Sequence, residues 1–184
     1  RIQPLSLTIA DNQIVVEMVT QGPTEPMCCG TLKLRATYEL TADNTLVLVS
    51  AVPMALSLEV LENMEYQGLQ LPVDGKAQLT DGQYEDTENQ VLVGMGITPT
   101  VAYGYIDGKP AAAVLLGESG VGSAGFENLA VVMEQDGVAV NVATTLLGDR
   151  VGVKNIAFTD DGLIVVDMVA QGPNDPMCCP TMPT

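Results

Sequence analysis

The chain has 184 residues, enough for one domain or two small ones, with a core that removes roughly 70% of the unfolded surface from water. It is 47% hydrophobic and 16% charged, which excludes a disordered segment, and 23 acidic against seven basic residues give a net charge of −16, which excludes phosphate backbones and anionic membranes as partners. It holds no histidine, so Ser-His-Asp triads, Cys-His dyads and imidazole-ligated zinc are all absent.

In chain order, alternating runs rich in Val, Ile, Leu, Thr and Tyr predict strands over 4–10, 13–20, 31–40 and 45–52, with turns at Asp11-Asn12 and Asp43-Asn44. Pro53 then opens 54–66, where Leu58, Leu61 and Met64/Tyr66 stand at helical spacing and predict the chain's one helix. Residues 67–88 read as a loop with one short strand around 76–80. Strands follow over 90–97, 100–106 and 110–117, the last two joined by Asp107-Gly108. The stretch 117–125, GESGVGSAG, has no lysine and no following helix, so it is a loop and not a phosphate cradle. Strands over 126–134 and 137–145 flank Asp136-Gly137, and strands over 151–159 and 162–170 flank Asp161-Gly162. The sum is a mainly β chain: an antiparallel β-sandwich-like domain with one short helix.

No apolar run reaches the roughly 18 to 20 residues of a membrane span, so no membrane insertion of the body is expected. Arg1 is not a methionine and leads straight into a strand pattern. Further sequence upstream is therefore expected, with room there for a lipid anchor.

The strongest signal is an internal repeat. Residues 14–29 read IVVEMVTQGPTEPMCC and 164–179 read IVVDMVAQGPNDPMCC, twelve identities in sixteen positions. Upstream, RIQPLSLTIADNQ matches RVGVKNIAFTDDGL with one residue more in the second turn. The period is 150 residues. The first copy is followed by two further strand runs over 31–52, whereas the second stops three residues past its matching Thr181. The chain therefore reads as the tail of one unit, 1–52, joined to the head and middle of the next, 53–184, which needs the equivalent of 31–52 for completion. Three topologies fit: a piece of a tandem array, terminal strands that complete a neighbouring chain, or 32–52 folding back onto the second unit of the same chain.

The segments NMEY and LTDGQYED within 63–86, ATTLLGDRV at 143–151 and IVVDMVAQGPNDPMCCPT at 164–181 resemble an uncharacterised family of secreted bacterial envelope proteins. At longer range they are similar to LppP/LprE-like lipoproteins. The resemblance covers about 58–181 and again 1–50, and GPxDPMCCP is its most specific part. It implies an extracellular or cell-surface location and a fold, and assigns no particular activity. Members carry an acidic calcium-type loop; YGYIDGKPAAAVLL here keeps only Asp107, too few oxygens for Ca²⁺.

Four cysteines, Cys28, Cys29, Cys178 and Cys179, form two adjacent pairs after Pro-rich turns. They are the disulfide candidates, as bonds within each pair, bridges between copies or chains, or free thiols. No CxxC spacing supports a metal site, and no basic neighbour stabilises a thiolate. Acid pairs such as Glu85/Asp86 and Asp160/Asp161 read as solvated turns rather than a glycosidase dyad. No cofactor and no catalytic residue is assigned. The expectation is a non-enzymatic extracellular structural protein that self-associates with identical chains or neighbouring repeats by β-strand complementation into a surface filament. The assembly strands are placed at Leu32, Leu34, Tyr38, Leu40, Leu46, Leu48 and Val49. The rival reading is a monomeric envelope lipoprotein domain that binds a ligand or protein partner.

Overall fold

The structure is a computed structural model; it describes residues 3–10, 12–21, 32–122, 125–176 and 179–184. The chain divides into two compact units, 1–57 and 58–184. It is mainly β, and every strand pairing is antiparallel.

The first unit is a four-stranded meander, β1 (Gln3–Ala10), β2 (Gln13–Thr20), β3 (Leu32–Leu40) and β4 (Leu46–Pro53), in that order across the sheet. Its β3–β4 turn is closed by Thr41, whose Oγ1 donates to Asp43 and accepts from the Thr45 amide at 3.2 Å. Asn44 takes the left-handed conformation (φ 62°) that a short turn requires. A single 3₁₀ turn, Met54–Leu56, ends the unit. Residues 32–53 thus complete the sheet of the first copy and, among the described residues, pair with no strand of the second.

The second unit begins with α1 (Leu58–Leu61), only four residues long. The helix expected over 54–66 stops there because side chains take over its carbonyls. Asn63 Nδ2 donates back to Glu59 O at 2.9 Å, and the buried Tyr66 hydroxyl donates to Leu61 O at 2.9 Å. Tyr66 instead lies in β5 (Glu65–Gln67), which pairs with β6 (Lys76–Gln78). The main sheet follows, with β7 (Gln83–Asp86), β8 (Val91–Gly94), β9 (Val101–Ile106), β10 (Lys109–Ser119), β11 (Gly125–Gln135) and β12 (Val138–Asp149). Its order is β12-β11-β10-β8-β7, with β9 also on β10. The Asp107-Gly108 and Asp136-Gly137 hairpins both have two residues at positive φ, as their sequence predicts.

β10 is buried on both faces, from Ala111 to Val114 and at Leu116. On the even face Glu118, 2% exposed, accepts hydrogen bonds from the Gln70 and Leu71 amides and from Asn128 Nδ2. Its carboxylate therefore satisfies the backbone of the loop after β5. Asn141 acts likewise, accepting from the Gln67 amide at 2.9 Å and donating to Val131 O and Ala143 O where β12 bulges. On the odd face lies a third sheet, β13 (Gly152–Phe158), β14 (Ile164–Ala170) and β15 (Met182–Pro183). Ala113, Leu129 and Ile156 form the core between these two sheets, joined by Leu115, Leu147 and Phe158.

Candidate assembly surface

Over their described strands the two copies of the repeat pair in one register. In the first, Gln3, Pro4, Ser6, Leu7, Thr8 and Ile9 pair with Val19, Met18, Glu17, Val16, Val15 and Ile14. In the second, Gly152, Val153, Asn155, Ile156, Ala157 and Phe158 pair with Val169, Met168, Asp167, Val166, Val165 and Ile164. The registers coincide, including one bulge, at Leu5 in the first copy and Lys154 in the second. A cross-strand hydrogen bond recurs as well: Ser6 Oγ to Glu17 at 2.8 Å, and Asn155 Nδ2 to Asp167 at 3.4 Å. The third strand starts in the same register, Thr20↔Leu32 and Val19↔Lys33 against Ala170↔Met182 and Val169↔Pro183. Met168 and Thr184 then exchange two backbone hydrogen bonds of 3.0 and 2.9 Å, where Met18 faces Leu34 in the first copy.

The second copy reaches this register because Asp175 folds the GPNDP turn. Its carboxylate accepts from the Gly172 amide at 2.8 Å and from the Thr181 amide and hydroxyl, both at 2.7 Å. Those donors hold the Asp175 carboxyl below the ordinary carboxylate range, the Gly172 amide most of all. Gln171 Nε2 completes the turn by donating to Pro176 O at 2.7 Å.

What differs between the copies is what covers them. Side chains alternate across a strand, so Leu7, Ile9, Ile14, Val16, Ala36, Tyr38, Leu40, Leu46 and Leu48 share one face of the first sheet. The opposite face mixes valines with polar side chains. There Arg35 grips Glu17 through Nε at 3.1 Å and Nη2 at 2.8 Å, and the Arg35 guanidinium lowers the Glu17 carboxyl's pKa. On the apolar face Leu7 is 63% and Ile9 69% exposed, and Leu46 and Leu48 are each 52% exposed. In the second copy Ile156, the counterpart of Leu7, is only 8% exposed because the main sheet lies over it. Phe158, the counterpart of Ile9, lies against Gly104 so closely that a Cβ there would stand 2.2 Å from its Cγ.

Of the expected assembly residues, Leu32 is buried in β3, Leu34 and Tyr38 are half-buried, and Leu40, Leu46, Leu48 and Val49 are exposed. All but Val49, which the β3–β4 bulge skips, pair within their own sheet, on β2 or on each other's strand. The edge of β14 is not wholly open, since β15 pairs its end; among the described residues Ile164–Asp167 have no strand on that side. Sequence reading had left out Leu7 and Ile9. The signal that finds them is the repeat itself, which sets them against Ile156 and Phe158. Of the cysteines, Cys28, Cys29 and Cys178 lie outside the described residues, as does Asp11 of the first predicted turn. Cys179 is not a free thiol, and its amide donates to Pro176 O at 2.9 Å.

Among the described residues no group of three or more metal-ligating side chains gathers, and no helix is long and apolar enough to cross a membrane. A cleft beside the β12–β13 connection is lined by Gly148, Asp149, Arg150, Val151 and Gln171. Its charges are paired with each other, Arg150 to Asp149 at 2.5 Å. Compared with family models, curated proteins and solved structures, the chain matches none.

Proposed function

We propose that the protein is a non-enzymatic structural subunit of the bacterial cell surface that assembles with copies of itself by β-strand complementation into a filament. The observation that carries this reading is the mismatch between two copies of one sheet. The first has all four strands and an uncovered apolar face; the second has a covered face and a third strand of two residues. A contact between unlike surfaces of successive copies extends into an open filament wherever its rotation does not close into a ring. The β3–β4 hairpin of one chain would continue the β14 edge of the next in the register β15 already marks, and cysteine bridges near the junctions would lock it. The extracellular location follows the resemblance to secreted envelope proteins and agrees with paired cysteines. Negative-stain electron microscopy of the chain purified without reductant tests the reading. Long regular filaments are expected; uniform globules at all concentrations overturn it.

A further inference from the structure

We infer that the occupant of the apolar face of residues 3–53 is the main sheet of a second copy, which the face reaches by taking the place of that copy's own 152–183 sheet. The inference rests only on the self-assembly part of that reading, and puts exchange of a whole sheet in place of strand addition at the β14 edge as the joint between chains. The register identity makes the two sheets interchangeable on their shared part, with Leu7 standing for Ile156 and Ile9 for Phe158. The acceptor floor is then known from the second unit: Gly104 leaves a hollow for the residue at the Phe158 position, and Ala113, Leu115 and Leu129 receive the one at Ile156.

The incoming sheet brings a nine-residue β3 and an eight-residue β4 beside the repeated pair of strands. The acceptor face extends past its present cover, because Leu92 of β8, across from Ser119 on the same face as Leu115, is 42% exposed. Exchange keeps every backbone ladder of the donor intact. Docking takes Leu7 and Ile9, exposed in the single chain, out of water.

The test is sedimentation equilibrium of the full chain and three variants, each checked for native circular dichroism. Leu7→Asp with Ile9→Asp removes the donor face at positions exposed in the single chain, and should weaken association at least about tenfold. Phe158→Ala loosens the resident sheet and should tighten association by several-fold. Val169→Pro breaks the end of β14 and should also tighten it, whereas strand addition at β14 requires a loss. Should Leu7→Asp/Ile9→Asp leave association unchanged while Val169→Pro abolishes it, the exchange is wrong and assembly by strand addition stands. Should the double variant disperse the chains while Phe158→Ala and Val169→Pro do nothing, two donor faces pack on each other and the exchange is again wrong. A wild-type chain that stays monomeric, as do all variants, overturns both.

Discussion

Asp175 shows how one side chain can decide whether a strand exists. Three donors converge on its carboxylate, and the turn they close delivers Met182 and Thr184 to the edge of β14. Its folded pKa is lowered, so its contribution is fully present above the ordinary Asp value of about 3.9 and disappears as pH falls through the lower folded value. The native amide signals of Met168 and Thr184 in NMR spectra should therefore survive at pH 5 and be lost only on acidification below about 4. In Asp175→Asn the same signals should be weakened already at neutral pH. An Asn variant with unchanged signals at both pH values would remove Asp175 from this role. Sequence reading found the GPNDPMCCPT motif through its repetition and the resemblance, but not the part Asp175 plays. That role depends on Thr181, six residues away and returned to it only by the folded turn.

At the scale of elements, periodicity and turn chemistry located the strands well. The structure has β1–β4 at 3–10, 13–20, 32–40 and 46–53, against the predicted 4–10, 13–20, 31–40 and 45–52. Asp-Gly and Asp-Asn pairs marked turns because these residues accept positive φ, and the backbone uses that freedom at Asp107, Asp136 and Asn44. The helix over 54–66 failed for a tertiary reason. Its apolar spacing was real, but Tyr66 is fully buried and joins β6 through Ala77, which a continued helix would forbid. Short strands such as β7 and β15 have too few residues to show any period. How the sheets dock depends on Gly104, whose missing side chain admits Phe158. Gly104→Ala is expected to destabilise the second unit by about 2 kcal/mol through overpacking, and Phe158→Ala in the same chain should recover part of it. Urea melts of the two single variants and the double variant measure the coupling; additive losses would mean the two residues do not share a contact.

Over the whole molecule, charge acts against assembly. A net −16 on every copy opposes the approach of two chains, while an apolar contact is insensitive to screening. Association should therefore tighten several-fold between about 0.02 and 0.2 M NaCl, as the Debye length falls from about 20 to 7 Å. It should tighten again as pH falls toward the pI of 4.1. Association that weakens with salt would point instead to ion pairs such as Arg35–Glu17 as the contact.

The sequence alone determined the mainly β class, the absence of histidine chemistry and the 150-residue period, because composition, alternation and self-similarity are local properties of a chain. Tertiary structure decided that residues 32–53 finish the first sheet, that β15 begins the same strand in the second, and that one copy is covered while the other is bare. Leu7 and Ile156, or Ile9 and Phe158, are alike in any reading of their neighbours along the chain. Their exposures differ because burial is conferred by the sheet packed across from them, and for the second copy that sheet comes from residues 101–149.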